Sequence, residues 1–572
     1  MQTFNGKLLV EGGDILLVSG GIKVKVDGSA ETFRAFANQY VSITGEQSGG
    51  TILHAAIATQ PEAAGLDGSD DLQELTPIVE SITRHLNQLQ VPGVVSARPG
   101  YSMLVDGQLE QVIRVAVKPG VMPAGLPSSV DCFRVQQETA SPLEILEPPI
   151  PLSAWTGALP ETIPAKNYRP PANLELKPIE VKNITCHVGP DAGWITLKPF
   201  LEATTKSLTV AMYEFYAEHI IDTITSLGTE TDAQLDMILQ VSSNDKNIRD
   251  ILEESWPDRV RLVAASVSGP KRLFNNSYHT KVAVRDSEAM WLSSGNWSPN
   301  SQPLLEPGDD PFVYRRGNRE WHVIIEDKKI AELYEAFIRY DMDQSGAITA
   351  PESQQVFPDL LIPASMQMAE AGVAQPAMFE PRLFATGETS VKVQPLMSPD
   401  NYAGGVLKLI ESAETSIYLQ FSYINQPSLD IFDKVIKAIS KKIKAGLDVK
   451  IIVGGSEKPD AINLLIARGW KPKYFRKQSS KLHNKGILID GKIAGVGSNN
   501  WSNDGTQYNR DTTLIFYSRP IAKYYTEVFL FDWNNLSKPV IKSQPEVMPE
   551  IAPEGPTPLG KVRIPWQAWY DE

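Results

Sequence analysis

The sequence predicts an α/β protein built from two homologous units packed about a pseudo-twofold axis. A small β-rich domain and a small α+β domain precede them. Three observations predict this. The last two thirds of the chain repeats itself with a period of about 200 residues, too long for a solenoid. Within each copy, apolar strand-like runs alternate with helical patterns, which argues a mostly parallel sheet flanked by helices. The first part of the chain has a different texture, with short strands stopped at glycines.

In residues 1–70, KLLVEG, DILLVSG, IKVKVDG and YVSITGE read as strands of a β-rich domain. Residues 71–141 change pattern: LQELTPIVESITRHLNQL has apolar residues at helical spacing, and VVSARPG and QVIRVAVKPG follow as strands. Residues 142–180 are proline-rich and form an extended linker or wrapping arm. Such an arm can hold the two small domains as targeting devices, or they can simply cover apolar surface on the rest. The repeats occupy 181–355 and 385–540, joined by a linker at 356–384 and followed by a tail at 541–572.

The copies align along their length. CHVGPDAG is answered by LMSPDNYAG, with Pro399 lying 209 residues beyond Pro190. SLTVAMYEFY matches SIYLQFSYIN, and LDMILQVSSND matches LDVKIIVGGSE. NREWHVIIED matches NRDTTLIFYS, and KIAELYEAFIRYD matches IAKYYTEVFLFDW.

Composition narrows the function. With 572 residues, 42% hydrophobic and 21% charged, the chain is ordinary globular protein, not collagen, coiled coil or wholly disordered. Cys132 and Cys186 allow one disulfide at most and no cysteine-rich zinc framework. No apolar stretch reaches the roughly 18 residues of a membrane-spanning helix, and the N-terminal residues do not read as a signal peptide. A soluble, cytoplasmic protein is expected; export without such a signal stays open. The net charge of −14 disfavours a general polyanion binder. Yet Ile431–Lys492 carries 15 Lys or Arg against 5 Asp or Glu, as a site for an anionic group would. A solvated helix face accounts equally well for the six lysines of KVIKAISKKIKAGLDVK.

One motif carries chemistry. Each copy contains His-x-Lys-x4-Asp, then a small segment ending in Asn, then Trp-Ser. The first copy supplies His279, Lys281, Asp286, Ser294, Asn296 and Ser298; the second supplies His483, Lys485, Asp490, Ser498, Asn500 and Ser502. An acid follows in each, Glu320 in NRE and Asp511 in NRD. On a strand, residues i and i+2 face one side, so each His and its Lys project into the same space. The acid can bind the imidazole's far nitrogen and fix its tautomer. Two such sets give two imidazoles, two ammonium groups and several amide and hydroxyl donors around one cavity. That is a holder for a phosphate, with a nucleophile on one side and a proton donor on the other.

This pattern resembles the phospholipase D superfamily, whose signature is a duplicated HxKx4D motif followed by GSxN. The second copy, LHNKGILIDGKIAGVGSNN, fits fully; in the first, Ser293 stands where the glycine of GSxN belongs. The resemblance covers about residues 185–540. It implies a phospholipase D-like α-β-α sandwich in each copy, one active site at their seam, and a covalent phosphohistidine. It implies His279 as nucleophile and His483 as acid–base, an order the near-symmetry of the motifs leaves open. Lys281, Lys485, Asn296 and Asn500 are then expected to bind phosphate oxygens, with Ser298 and Ser502 as secondary substrate contacts. The resemblance makes Asp286 and Asp490 structural and gives Glu320 and Asp511 the task of orienting the histidines. No cofactor is required for catalysis.

The substrate is a phosphodiester, and the same site serves phospholipids and nucleic acids. Hydrolysis or transphosphatidylation of phospholipid is favoured over a DNA or RNA endonuclease, and both over a non-catalytic scaffold. Integral phospholipid synthesis is disfavoured by the lack of membrane spans. The stretch KPKYFRKQSSKLHNK, Lys471–Lys485, argues for a nucleic-acid strand or an anionic headgroup. Oligomeric state is not legible.

Weaker signals remain. Asp341, Asp343, Ser345, Thr349 and Glu352 match a 12-residue calcium loop with Gly346 at its sixth position. A plain acidic turn fits as well, since no partner loop exists and the second copy has no such ligands. His54, His85, His187, His219 and His322 are expected to be structural. The distance between His279 and His483 exceeds that between Glu320 and Asp511 by 13 residues, which places an insertion between Trp297 and Asn318. It is either an entrance loop or an ordinary surface insertion.

Overall fold

Why the repeats form sheets is visible in their burial. Strands such as Val282–Arg285 and Lys485–Ile489 are buried along almost their whole length, as strands covered on both faces must be. The computed structural model describes residues 2–11, 14–19, 22–28, 40–48, 51–57, 76–104, 109–146, 167–240, 248–269, 271–275, 277–305, 317–346, 358–363, 379–424, 431–454, 461–467, 470–478, 482–540 and 549–564. Outside them fall 147–166 of the proline-rich arm, 306–316 of the insertion, Thr349, Glu352 and the side chain of His54.

Contacts divide the chain into two compact units: residues 1–160 with 462–470 and 541–555, and residues 161–461 with 471–540 and 556–572. In the first, strands Gln2–Glu11, Asp14–Ser19, Ile22–Gly28, Tyr40–Ser48 and Thr51–Ile57 close a barrel. Its first strand pairs with both the second and the fourth, and its third and fifth run parallel. Helix Thr76–Arg84 packs on a sheet of Val94–Met103, Leu109–Val117, Phe133–Thr139 and Ser129–Val130. His85 Nε2 lies 3.1 Å from Asp131 Oδ1, a local structural contact.

The second unit holds both copies. The first copy's sheet runs Val260–Ala264, Gln234–Leu239, Ser207–Met212, Val282–Arg285, Ala289–Ser293, Glu320–Ile325, Ile184–Gly189, Arg382–Phe384. The second runs, from its far edge, Phe475–Gln478, Asp448–Val453, Ser416–Phe421, Lys485–Ile489, Ile493–Gly497, Asp511–Tyr517, Val391–Ser398, Ile179–Val181, with Ser537–Pro539 added beside Phe475–Gln478. Strand for strand the orders match, so the copies share one fold.

The sheets are mixed, which corrects the expectation of mostly parallel pairing. Among the described strands of each copy two pairings are parallel, those among the three consecutive strands joined through helices. The motif strands instead form a meander, Val282–Arg285 to Ala289–Ser293 to Glu320–Ile325, paired antiparallel. Antiparallel neighbours need only a turn between them, whereas parallel ones need a crossover. The insertion falls in the connection between Ala289–Ser293 and Glu320–Ile325.

The edges are closed crosswise. Ile179–Val181, at the end of the proline-rich arm, pairs with the second copy's Val391–Ser398. Arg382–Phe384, from the linker between copies, pairs with the first copy's Ile184–Gly189. Each otherwise open strand is thereby covered. Leu197, Ile220, Leu252 and Trp256 pack one face of the first sheet. A second core is shared by the copies, joining Val282, Val323 and Tyr334 to Leu488, Val496, Phe516 and Tyr525. Among the described residues no helix is long and apolar enough to cross a membrane.

Asp286 and Asp490 end the motif strands at φ 55°, a left-handed conformation that aspartate tolerates. The Asp286 carboxylate accepts the N–H groups of Thr205, Lys206 and Ser207 at 3.1, 2.6 and 3.0 Å. Asp490 accepts those of Glu414, Thr415 and Ser416 at 2.9, 2.7 and 2.9 Å. Burial works against these charges, yet the backbone donors hold both carboxyls below their usual range. Each clamps the turn that launches the neighbouring strand. Asp286→Ala is expected to cost about 1–2 kcal/mol through these lost hydrogen bonds. A lower melting temperature with an unchanged Michaelis constant is the signature; an unchanged melting temperature would remove the clamp.

The calcium reading of 341–352 is corrected at its first half. Helix Lys328–Gly346 runs straight through Asp341, Asp343 and Ser345, so they cannot gather around an ion as loop ligands do. Asp341 is buried against Arg510, Nε to Oδ2 2.7 Å, and Asp343 pairs with Arg261 at 2.6 Å. Ser345 Oγ accepts Ser266 N at 3.4 Å. Thr349 and Glu352 lie outside the described residues.

Candidate active site

The motif side chains converge at the seam. His279 lies in the extended segment just before strand Val282–Arg285, and its N–H donates to Arg510 O at 2.7 Å. His483 N donates to Arg319 O at 3.2 Å in the same way. Each histidine's backbone is therefore held by the Asn-Arg-acid run of the other copy. Bridges Tyr278 to Arg510 and Arg319 to Leu482 repeat the exchange.

The acids follow suit. His279 Nδ1 donates to Asp511 Oδ1 at 2.7 Å, and His483 Nδ1 to Glu320 Oε1 at 2.7 Å. His279 Nδ1 also meets Ser498 O at 3.0 Å; a carbonyl only accepts, so the proton sits on Nδ1. Nε2 of each ring is left to meet a substrate. The ring centroids stand 6.2 Å apart with planes at 73°. The site is a composite: each histidine's Nδ1 is bound by the other copy's acid.

The two lysines are buried with it. Lys281 Nζ donates to His279 O at 2.7 Å and lies 4.9 Å over the Tyr213 ring. Lys485 Nζ donates to His483 O and to Ser422 Oγ, the latter at 3.1 Å. Burial first, and then Lys485, push the Lys281 ammonium well below its usual range. Burial, Lys281, Lys485 and His483 push His279 down as well. Cations held this way are relieved by an arriving anion, the chemistry a phosphate site needs.

Asn296 donates Nδ2 to Glu214 Oε2 at 2.8 Å. Among the described residues, Oδ1 of Asn296 and of Asn500 are buried with no hydrogen-bond partner, an opening for a donor on a substrate or a water. Ser502 Oγ accepts Gly505 N at 3.1 Å and caps helix Asn503–Gln507, while Ser298 Oγ accepts Ser301 N at 3.4 Å. Both serines thus shape their turns. Ser293, the departure from GSxN, donates to or accepts from His322 Nδ1 at 2.6 Å and accepts Gly295 N at 2.7 Å. In the second copy, a Cβ on Gly497 would sit 2.3 Å from Thr513 Oγ1, so glycine is required there. His322 stacks on His187 with centroids 4.8 Å apart, and His219 meets Trp194 edge-on at 4.5 Å; all three are packing groups.

Several site residues were not anticipated. Arg319 pairs with Asp191 and Asp532 at 2.5 and 3.0 Å. Arg510 pairs with Asp341 and Asp400 at 2.7 and 2.5 Å. Tyr168, from the proline-rich arm, donates its hydroxyl to Asp400 at 3.0 Å. Glu214, Tyr213 and Ser301 also line the site. The signal for the arginines was present: NR precedes the acid in both copies, and Asp191 and Asp400 match in PDAG and PDNYAG. In the basic stretch Lys471–Lys485, Arg476 is engaged within the fold, donating to Ser537 and lying 5.4 Å over Trp533.

A family model described as "Cardiolipin synthase, PLD-like domain" matches residues 197–342 and 406–533. A cardiolipin synthase of Staphylococcus aureus (strain N315) is 34% identical over 143 residues, covering 22% of this chain and 26% of its own length. One of Listeria welshimeri is 26% identical over 172 residues, covering 27% and 34%. The chain thus spans about a quarter to a third of the length of these curated relatives. The crystal structure of phosphatidylserine synthase from Haemophilus influenzae aligns with TM-score 0.43 and 12% identity, over 64% of this chain and 89% of that one.

Proposed function

The chain belongs to the phospholipase D superfamily, and on that premise we propose that it is a phosphodiesterase acting on phospholipids through a phosphohistidine, without a catalytic metal. The observation that carries this reading is the crossed pair of histidines: two imidazoles with centroids 6.2 Å apart, each backed by the other copy's acid.

In this mechanism His279 Nε2 attacks phosphorus and the bond to the leaving alkoxide breaks. His483 Nε2–H gives its proton to that alkoxide. Water or an alcohol then loses a proton to His483 and attacks phosphorus, and the His279–phosphorus bond breaks. Lys281, Lys485, Asn296 and Asn500 hold the non-bridging oxygens throughout. With an alcohol as acceptor the product is a new phosphodiester, so one site supports both hydrolysis and transfer.

Phospholipid is favoured over nucleic acid because the similar curated proteins are named for the synthesis of a phospholipid. The same names restore weight to synthesis by transfer, which the lack of a membrane-spanning stretch had counted against. The test is a paired assay in chelator: headgroup release and transfer to glycerol from phosphatidylglycerol or phosphatidylcholine vesicles, beside degradation of single-stranded DNA and RNA. His279-dependent release or transfer is the expected result. Nucleic-acid cleavage that depends on His279, with no headgroup release, would replace phospholipid by nucleic acid; loss of all turnover in chelator would end the metal-free mechanism.

A further inference from the structure

The small α+β domain, outside the matched copies, ends in an apolar tip. Strands Val94–Met103 and Leu109–Val117 pair antiparallel with Val94 opposite Val117. The turn before the first strand and the loop after the second, residues 118–128, therefore emerge at one end of the sheet. The turn presents Val91 and Pro92, and the loop presents Val121, Met122, Pro123 and Leu126. Met122 is 94% exposed and Val121 40%. Single exposed apolar residues are ordinary, but a cluster displayed at a tip is not.

The display is built into the backbone. Lys118 N–H donates to Gly93 O at 2.8 Å and Val121 N–H to Lys118 O at 3.1 Å, tying loop to turn. A Cβ on Gly93 would lie 2.5 Å from Val121 Cγ1, so the valine seats on bare backbone there. Pro119, Pro123 and Pro127 restrict the chain, and Gly120 and Gly125 turn it at φ 72° and 82°. A loop ordered in this way loses little freedom on binding.

Charge around the tip has one sign. No Asp or Glu occurs in residues 81–105 or 111–130, although the chain has 68 of them in 572 residues. Those two segments carry Arg84, Arg98, Arg114 and Lys118, and Lys118 is exposed in the loop itself. The acids that the third strand and the residues after it bring to this end are already paired. Glu138 binds Arg98 and, at 2.9 Å, Arg114; Glu144 binds Arg98 at 2.8 Å.

We propose that loop 118–128 is a membrane-docking device: Val121 and Met122 enter the interface of a phospholipid bilayer while Lys118 stays at the level of its anionic headgroups. The choice of a bilayer rests on the phospholipid reading above. An apolar tip without acids suits a surface of phosphates over hydrocarbon, where side chains need reach only roughly 5–10 Å below the headgroups. The tip is too small for the roughly 800 Å² per partner that a stable protein interface buries. An enzyme that works on packed lipid must also stay on its surface, and among the described residues no helix is long and apolar enough to hold it there by spanning.

The test measures binding apart from turnover. Full-length protein carrying His279→Asn, which leaves the lipid intact, is floated with vesicles of equal parts phosphatidylcholine and phosphatidylglycerol. Without that substitution, kcat/KM is measured on the same vesicles and on a soluble p-nitrophenyl phosphodiester. Met122→Glu should weaken flotation at least about tenfold and lower kcat/KM on vesicles to match, with the soluble substrate and the melting temperature unmoved. Lys118→Glu should cost about fivefold in flotation on these vesicles and little on pure phosphatidylcholine. Met122→Leu should keep the wild-type values. Undiminished flotation of Met122→Glu, or no flotation of the starting protein, overturns the inference. So does a self-associated protein that Met122→Glu dissociates, which would give the tip to a second copy. Met122-dependent flotation of a protein that turns over no phospholipid would overturn the proposed reaction and leave the docking loop standing.

Discussion

Replacing His279 with asparagine is expected to lower turnover by at least about 10³-fold, and replacing His483 to do the same for substrates with alkoxide leaving groups. Asparagine suits the test because it keeps a side-chain N–H within reach of the acid. Asn at 279 can still donate to Asp511, and Asn at 483 to Glu320, so neither buried carboxylate loses its partner. What disappears is Nε2. The two variants should fail differently. His279→Asn has no atom to form the covalent bond, so neither a burst nor a phosphoenzyme should be seen. His483→Asn should still form the phosphoenzyme from an activated ester such as a p-nitrophenyl phosphodiester, whose leaving group needs no proton, and then stall. Mass spectrometry of the trapped protein separates the cases, with thermal melts to confirm folding. Wild-type turnover in either variant would end the shared-site mechanism.

Much of this site was legible in the sequence because duplication writes each functional residue twice. His279 and His483, the lysines, the asparagines and the acids all stand at matched positions, and chance does not produce such a pair of lists. The partnership between them was not legible. Each acid follows its own copy's histidine in the chain, yet the bonds formed are across copies, spanning 232 residues for His279 to Asp511 and 163 for His483 to Glu320. Local spacing carries no information about which of two equivalent partners is nearer in space. Strand direction was misread for a related reason: a buried strand is apolar whichever way its neighbour runs, so the meander of motif strands could not be told from crossovers. The calcium pattern failed differently. Asp341 fits a ligand position, but Asp532 occupies the matching place at the end of the other closing helix. A residue repeated with the fold belongs to the fold, and that comparison would have preferred a structural role.

That role yields the second large effect, a loss of about 3–5 kcal/mol of stability on Arg510→Met. Arg510 is buried, with Nε and Nη2 on the two oxygens of Asp341 at 2.7 and 3.0 Å, and Nη1 on Asp400 at 2.5 Å. Asp341 belongs to the first copy and Asp400 to the second, so one guanidinium ties the copies together; Arg319 does the same with Asp191 and Asp532. Methionine keeps the stem against Tyr168, Phe274 and Phe337 but leaves two carboxylates in the interior without a cation. Removing one partner of such a set costs more than the set itself contributes. The deficit should depend on pH with a definite sign. Burial pushes Asp341 up to about 6 even beside Arg510, and without the guanidinium it must titrate higher still. A carboxyl whose folded pKa is raised stabilises the fold when protonated, an effect present below its unfolded value and lost as pH climbs through the folded one. Arg510→Met should therefore fall furthest behind the wild type near pH 8 and recover part of the gap by pH 5. Adding Asp341→Leu should recover part of it at every pH, since the stranded charge is gone. Activity should track the loss even below the melting temperature, because the Arg510 carbonyl receives the His279 N–H at 2.7 Å. Strictly additive single and double substitutions, or a deficit that does not change between pH 5 and 8, would show that Arg510 does not clasp the seam.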